Sequence, residues 1–316
     1  MGIYSSSGAL QEEIYNHPEF QGVLVRGSWA QIEPSPGVFD FSVIDRQVES
    51  VESHGKRWSL AISAGGIGSP GWLMDDLGAE SLSYTFRGER DYRLPLIWDA
   101  TVQERLGILA EALGKRYGRN EALALVYIPQ MTSNGIEGHF HGVNMRAFRQ
   151  AGFTADRWID GSLAVAGAFA SAFPSKPLAF EVHEVDRGVE IPKEIINRLW
   201  TDPSFGGRVG VAIWWVSGKE NYQPALLEVL RKFPGDKYGQ VIGRSDQKVR
   251  FADEDYALVF SQAKSLGLRY LEPWEYELKA GRFAANGKWD PLFSDFNDWA
   301  RSNFPVCGSE SVESGD

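Results

Sequence analysis

The chain has 316 residues, of which 43% are hydrophobic, and a formal net charge of −10 at pH 7. This acidic balance argues against nucleic acid as a partner, because phosphate binding needs a basic surface. Cys307 is the only cysteine, which excludes an internal disulfide and a cysteine-based metal cluster, and no apolar run approaches the ~18 residues of a membrane span.

Strand-like and helix-like segments alternate along the chain. Mostly apolar runs predict strands at 2–4, 22–26, 57–63, 122–128, 177–183, 209–216, 238–244 and 268–272. Three- and four-residue spacing of apolar side chains predicts helices at 9–15, 42–55, 101–118, 157–173, 192–200, 225–233 and 253–267. Because the strands are apolar throughout instead of alternating, the sheet should be buried on both faces.

Eight strands that alternate with helices predict an α/β fold, a single (β/α)8 barrel over residues 1–307. An open doubly wound sheet is the alternative, but no glycine-rich phosphate-binding motif follows the early strands. The tail at 308–316 is small, polar and acidic, and we expect it to be disordered. No secretion signal is visible after Met1, so secreted and cytoplasmic locations both stay open.

The segment 23–41, VLVRGSWAQIEPSPGVFDF, is the most informative part of the sequence. An apolar strand is followed by Arg26 and Trp29, and a turn then leads to Ser42, a predicted helix N-cap. Parallel barrels place their chemistry at the carboxyl ends of their strands, so Arg26 and Trp29 should border an open pocket. The long connections at 65–99 and 131–144 should form one wall of that cleft.

Further candidate site residues follow the later strands. They are Trp72, Gln130, Asn134, Glu137, His139, Glu181, His183, Trp214, Trp215, Arg244, Asp246, Glu272 and Trp274. Carboxylates and indoles together favour sugar chemistry, because glycoside cleavage uses two carboxyl groups and aromatic faces stack on pyranose rings. His139 and His141 lie two apart on a loop, so we predict no metal and no other cofactor, with a mononuclear metal site as the alternative.

The run RGSWAQIEPSPGVFDFSVID, followed by SLAISAGGIGSPGWL, resembles clan-A (β/α)8 glycoside hydrolases of the β-galactosidase-like and cellulase-like families. Those families carry an arginine and a tryptophan on strand two, an EP.pG.fdF turn, and a P.WL after strand three. The resemblance covers about residues 20–75 closely and the rest only through strand order. It implies a glycosidase that acts on an oligo- or polysaccharide.

The resemblance transfers the family's roles only in part. Arg26 matches the arginine beside the family's nucleophile, and Glu33 matches a structural glutamate in the turn. The family's acid/base is a glutamate at the end of strand four, where this chain has Gln130, and Glu137 follows several residues later. The family's nucleophile ends strand seven, where this chain has no glutamate, whereas Glu272 ends strand eight.

We therefore expect Glu137 to be the general acid/base and Glu272 the nucleophile or base, with Glu181 and His183 as an alternative source of the second carboxylate. Arg26 would orient that carboxylate. A separation of about 5 Å between the two carboxyl groups would predict retention of configuration, and about 6.5–9.5 Å would predict inversion.

The remaining candidates would bind the sugar. Tryptophans would stack on it, and Gln130, Asn134, Arg244 and Asp246 would bind its hydroxyls. Two rival functions stay open: a carbohydrate-binding pseudoenzyme on the same barrel, and a lyase or isomerase that uses His183 or His139 as base.

Overall fold

The structure is a computed structural model that describes residues 1–7 and 12–304, without the side chains of residues 13, 89 and 90. The predicted helix at 9–15 is therefore described only from residue 12 onward. Cys307 and the predicted disordered tail at 308–316 lie outside the described residues.

Eight parallel strands of the described chain form a closed barrel. The barrel strands are β1 (Gly2–Ser5), β2 (Phe20–Ser28), β3 (Arg57–Ser63), β6 (Leu123–Tyr127), β7 (Leu178–Glu181), β8 (Val209–Val216), β9 (Lys237–Val241) and β10 (Leu268–Glu272), and a separate pair is formed by β4 (Ser81–Phe86) and β5 (Glu89–Pro95). The order around the barrel is β1, β2, β3, β6, β7, β8, β9 and β10, which pairs again with β1. The predicted (β/α)8 barrel is confirmed.

Helices connect the barrel strands. They are α1 (Glu12–Tyr15), α2 (Trp29–Ile32), α3 (Ser42–Ser53), α4 (Gly65–Gly68), α5 (Trp72–Asp75), α6 (Ala100–Tyr117), α7 (Met145–Gln150), α8 (Ala155–Ala172), α9 (Glu190–Thr201), α10 (Pro224–Lys232), α11 (Leu258–Leu266) and α12 (Asp290–Asn303). Side-chain caps fix several starts: Asp99 accepts from the first turn of α6, and Thr154 from that of α8. No helix among the described residues has the length and hydropathy to cross a membrane.

Two features differ from the sequence-based prediction. The predicted strands 177–183 and 238–244 end earlier, at Glu181 and Val241, so His183 and Arg244 lie on loops. The connection at 65–99 also contains an antiparallel hairpin, β4–β5, outside the barrel. Strand β4 alternates exposed and buried side chains, as expected for a sheet with one face exposed to solvent.

The core has two layers because successive side chains on a strand point to opposite faces. Outward-facing residues pack beneath the helices in one large apolar cluster. Inward-facing residues fill the barrel with aromatic and small side chains, among them Tyr127, Trp214 and Tyr270. The hydroxyls of Tyr127 and Tyr270 donate to Glu272 at the carboxyl end of β10, and Trp214 packs against Tyr127.

A buried carboxylate holds the turn after β2. Glu33 is fully buried, and its Oε2 accepts from Trp29 Nε1 at 2.8 Å while Oε1 accepts from the backbone of Gly37 at 2.8 Å and from Arg105. Trp72 Nε1 donates to the carbonyl of Glu33 at 2.9 Å. Trp29 and Trp72, which we predicted to bind substrate, are instead buried against this turn.

Replacement of Glu33 should destabilise the fold strongly. Glu33→Ala leaves the Arg105 guanidinium and the Trp29 N–H without their acceptor, which should lower the free energy of unfolding by about 3–5 kcal/mol. Equilibrium urea denaturation followed by tryptophan fluorescence measures this loss. The neighbouring exposed Glu104→Ala serves as control and should change stability by less than about 0.5 kcal/mol; equal stability of the two variants would contradict the role of Glu33.

Candidate active site

Two adjoining cavities open at the carboxyl ends of the barrel strands. The larger, here the Glu137 cavity, has a volume of about 570 Å³ and is bordered by Glu137, three histidines and the indoles of Trp214, Trp215 and Trp274. The smaller, here the Arg244 cavity, has about 410 Å³. Both include Gln240 and Trp274, so together they form one cleft. Each volume lies within the range of small-molecule sites in proteins.

Glu137 lies on the loop between β6 and α7, in a wall of the first cavity. Asn134 forms a local turn: its Oδ1 accepts from the backbone of Glu137 at 2.9 Å, and its Nδ2 donates to Glu137 Oε1 at 2.7 Å. Asn134 was predicted to bind a substrate hydroxyl, and here it positions Glu137. The other oxygen, Oε2, lies 3.8 Å from His139 Nε2, and a quarter of the side chain (25%) is exposed.

Electrostatics favours the protonated form of Glu137. Burial and the negative charge of Glu181 both raise the pKa of its carboxyl group, while His183, Asn134 and Arg26 oppose them. A carboxyl group that keeps its proton above the ordinary range and has one oxygen free toward a cavity is suited to donate that proton.

The loop of Glu137 packs closely on its neighbours because glycines allow backbone contact. At Gly142 (φ 83°) an added Cβ would lie only 1.7 Å from the carbonyl oxygen of Thr85 in the hairpin. At Gly135 (φ 82°) a Cβ would lie 2.1 Å from the carbonyl of Ala64. The hairpin and this loop thus form one wall of the cleft, with Phe86 and Arg87 beside the histidines.

Glu181 is enclosed by its hydrogen bonds. It is 1% exposed; Oε2 accepts from Gly138 N at 2.6 Å and contacts His183 Nδ1 at 3.1 Å, and Oε1 accepts from Trp214 N at 2.9 Å. Both oxygens are occupied and the residue borders neither cavity. The structure therefore places Glu181 as an anchor between β7, β8 and the Glu137 loop, instead of the predicted reacting group.

Gln130 also has a structural position. It is 2% exposed, and its Nε2 donates to the carbonyls of Ile136 at 2.9 Å and Glu181 at 2.7 Å. The residue that stands at the family's acid/base position thus closes the Glu137 loop onto β7. It was predicted to bind substrate, but neither cavity includes it.

Glu272 ends β10 inside the barrel mouth. Its Oε2 accepts from Gln240 Nε2 at 2.6 Å, and its Oε1 accepts from Tyr127 at 3.1 Å and from Tyr270. Gln240 is its register partner on β9, the seventh barrel strand. Glu272 on the eighth barrel strand thus lies beside the end of the seventh. Glu272 is fully buried, and Gln240 and Arg26 lie at the cavity surface instead.

Opposing forces act on Glu272. Burial raises the pKa of its carboxyl group, whereas the hydrogen bonds from Tyr270 and Gln240, the charge of Arg26 and the bond from Tyr127 lower it. The net direction is upward. Replacing one of these donors by a substrate would alter the balance, so the charge of Glu272 depends on what occupies the cleft.

Arg26 connects the two glutamates. Its guanidinium lies 4.9 Å from the ring of Trp214, and the charges of Glu272 and Glu137 both act on it. Its Nε is buried and has no hydrogen-bond partner among the described residues. The predicted proximity of Arg26 to the second carboxylate is consistent with this arrangement.

Three histidines stand beside Glu137. His139 stacks on His141 with ring centroids 4.1 Å apart, and burial together with His183 lowers the pKa of His139 to about 2. Burial opposes the charge on His183, but Glu181 and other carboxylates outweigh it and raise its pKa. In residues 1–7 and 12–304, no group of three or more histidine, cysteine, aspartate or glutamate side chains is arranged to hold a metal ion.

The other predicted ligands lie around the rim. Trp274 is 39% exposed and is fixed by a 2.8 Å bond from its Nε1 to the carbonyl of Val241. Trp215 borders the Glu137 cavity but is only 2% exposed, and its Nε1 donates to the carbonyl of Val182 at 2.8 Å. Arg244 and Asp246 pair with each other at 2.9 Å on the surface. Trp274 is thus the most exposed of the predicted sugar platforms, and Trp214, which is 5% exposed, borders the same cavity.

Sequence reasoning missed several residues of the cleft. Gln240, Tyr222, Arg87 and Arg250 border the Glu137 cavity, and all but Gln240 come from loops without a recognisable motif. Tyr270 could have been found, because it stands two residues before Glu272 on one strand and must share its face.

Glu277 is another fully buried carboxyl group. It accepts a hydrogen bond from Ser245 N at 2.7 Å, and burial raises its pKa to about 7.

Comparison with known proteins agrees with this architecture. A glycoside hydrolase family 42 model, described as beta-galactosidase, matches residues 19–150, a stretch that includes Arg26, Gln130 and Glu137. The predicted resemblance to (β/α)8 glycoside hydrolases is confirmed. No curated protein sequence matches the chain.

Solved glycosidase structures share the fold at low sequence identity. Endo-glycoceramidase II from Rhodococcus sp., solved as a lactosyl-enzyme intermediate, has 16% identity and a TM-score of 0.55, with 90% of this chain and 74% of that chain covered. The beta-galactosidase of Marinomonas ef1 has 11% identity and a TM-score of 0.56, with coverage of 90% and 55%. The beta-galactosidase of Rahnella sp. R3 has 10% identity and a TM-score of 0.56, with coverage of 95% and 56%. This chain therefore spans little more than half the length of the two β-galactosidase chains.

Loss of the Glu181 charge should lower the pKa of His183. In Glu181→Gln the charge that holds the proton on His183 is gone while burial remains, so the pKa should fall below its ordinary value of about 6.5. Histidine NMR titration measures the shift, and His54, which interacts with Glu12 instead, is the internal control. Because the pKa of His183 is raised in the folded state, the His183–Glu181 pair stabilises the wild-type fold below about pH 6.5. This stabilisation is lost as the pH rises through the pKa of His183 in the folded protein. An unshifted His183 would contradict this account.

Proposed function

We propose that this chain hydrolyses an O-glycosidic bond in an oligo- or polysaccharide, with Glu137 as the group that protonates the leaving oxygen. The observation that carries the proposal is the position of Glu137: a quarter exposed in the wall of a 570 Å³ cavity, with one oxygen held by Asn134 and the other directed away from that bond. The confirmed barrel and the family 42 match support the same chemistry.

Glu272 is the second carboxylate of the proposed reaction. Two tyrosines, Gln240 and Arg26 favour its ionised form against the effect of burial. Gln240 donates to Oε2 and also borders both cavities, so a sugar hydroxyl that binds the amide would draw Gln240 away and open Oε2 to the anomeric carbon. Glu272 then acts as nucleophile or activates water, and the distance between the two carboxyl groups in the complex determines retention or inversion.

The sugar is held by aromatic faces. Trp274 presents a fixed and partly exposed indole that borders both cavities, and Trp214 borders the Glu137 cavity with the Arg26 guanidinium 4.9 Å from its ring. Stacking of this kind contributes affinity that depends little on the orientation of the sugar hydroxyls. Gln240 and the histidines can form hydrogen bonds with individual hydroxyls and so distinguish one sugar from another. The proposed partner is a carbohydrate substrate, with no cofactor, no nucleic acid and no membrane involved.

Substitution of the two glutamates tests the assignment. Glu137→Gln removes the proton donor and should lower kcat/KM by about 10²–10⁴-fold on natural glycans, with a smaller loss on aryl glycosides whose leaving groups need no proton. Glu272→Gln should lower kcat/KM on natural glycans and on aryl glycosides by similar factors. The control is Glu121→Gln, at the opposite end of the barrel, which should keep full activity. Undiminished hydrolysis by either variant would remove that glutamate from its role.

The pH dependence of kcat/KM should report the proton on Glu137. Because its pKa is raised, the group stays protonated above the ordinary glutamate range and activity should fall as the pH rises through that pKa. In Glu137→Gln, assayed on an activated aryl glycoside, this descending limb should disappear. A descending limb that persists unchanged would assign it to another group.

A carbohydrate-binding pseudoenzyme is the second candidate. Glu272 is fully buried with both oxygens hydrogen-bonded, and the family's acid/base position holds Gln130 in a structural role. A pseudoenzyme would bind a glycan and leave it intact over days, whereas the hydrolase releases reducing ends from it. Product analysis by mass spectrometry across a broad glycan panel separates the two functions.

A further inference from the structure

The charge of the cleft is opposite to the charge of the chain. Overall, 42 acidic side chains outnumber 32 basic ones. Yet five lysine and arginine residues border the two cavities, Arg26, Arg87, Arg244, Arg250 and Lys279, against two carboxylates, Glu137 and Glu275. The residues that border the cleft are thus more basic than the chain as a whole, and such a surface favours a negative ligand.

Three of these cations have no ion pair among the described side chains, yet each is held in place. Arg250 Nη1 donates to the carbonyl of Ile242 at 2.7 Å, which leaves its other N–H groups available. Arg87 lies 5.1 Å from the ring of Phe86 at the tip of the hairpin, and Arg26 lies 4.9 Å from the ring of Trp214.

The other two cations are already paired. Arg244 pairs with Asp246, and Lys279 with Glu275, so these two charges are largely cancelled. The uncancelled charge is therefore concentrated at the Glu137 cavity, where Arg87 and Arg250 both stand.

Neither Arg87 nor Arg250 forms an ion pair with a described carboxylate. Glu137 is the one carboxyl group among the residues that border the Glu137 cavity, and burial and Glu181 raise its pKa. Planar guanidinium groups bind carboxylate and sulfate oxygens through paired N–H donors, and this geometry is strongest where water is partly excluded.

We propose that the natural substrate is an acidic glycan, whose sugar units carry carboxylate or sulfate groups that Arg87 and Arg250 bind at the Glu137 cavity. This inference rests on the proposed function and names its substrate class. The aromatic platforms would hold the ring faces, while the two arginines distinguish a charged unit from a neutral one of the same shape.

Calorimetry with matched hexasaccharides tests the proposal. The probes are polygalacturonate, polymannuronate and sulfated galactan hexasaccharides, with neutral mannan and glucan hexasaccharides for comparison. Titration into Glu137→Gln protein avoids turnover. At least one anionic hexasaccharide should bind ten-fold or more tightly than both neutral ones at 20 mM NaCl, and this preference should shrink at 300 mM because salt screens exposed charges. The anionic probe that binds best distinguishes a carboxylate from a sulfate ligand.

Two arginine pairs separate a local contact from a change in net charge. Arg87→Gln with Arg250→Gln should abolish the preference, whereas Arg46→Gln with Arg119→Gln, both exposed and outside the cleft, should keep it. The proposal is overturned by equal or tighter binding of a neutral probe, by no binding of any anionic probe, or by a preference that survives the first pair.

Incubation of the wild type with the same probes separates this inference from the proposed function. If the wild type binds an anionic probe but does not cleave it, the proposed hydrolase activity is rejected and the preference for an acidic glycan is retained. If the wild type cleaves only a neutral glycan, the hydrolase activity is retained and the acidic substrate class is rejected.

Discussion

The carboxylate of Glu181 organises the cleft. It joins three segments that are remote in sequence: Gly138 on the Glu137 loop, Trp214 on β8, and His183 after its own strand β7. A buried carboxylate needs several donors to offset the loss of hydration, and backbone N–H groups are the least mobile donors available. The cost of burying this charge therefore imposes a fixed geometry on the loop that presents Glu137.

Glu272 is a second buried carboxylate, and it is held by a different kind of hydrogen-bond donor. Glu272 is surrounded by side-chain donors, two tyrosines and Gln240, instead of backbone groups. Side chains can rotate where the backbone cannot, so the surroundings of Glu272 can change when a ligand arrives while those of Glu181 stay fixed. The two glutamates thus differ in the kind of donor that holds them more than in burial, and this difference is the reason that the proposed reaction uses Glu272 and leaves Glu181 in place.

Much of the barrel could be predicted from sequence, because apolar strands and helical spacing are dictated by burial on both faces of the sheet. The ends of β7 and β9 could not, since His183 and Arg244 continue the strand pattern but lie beyond the last paired residues of these strands, Glu181 and Val241. Trp29 and Trp72 were assigned to the cleft from their position after a strand. Nothing in the local sequence shows that Glu33, a few residues on, would bind both indoles. Asn134 beside Glu137 was a readable turn signal, whereas Arg87 and Arg250 reach the cleft only through tertiary packing.

The β4–β5 hairpin makes no strand pairing with the barrel, although its tip abuts the backbone of Gly142. Its length and tip residues are therefore uncoupled from the hydrogen bonds that close the barrel. A longer, shorter or differently charged hairpin would keep the same barrel but present a different wall to a ligand. Substitutions in the hairpin can therefore alter the shape and charge of the cleft without changing the strand pairing that closes the barrel.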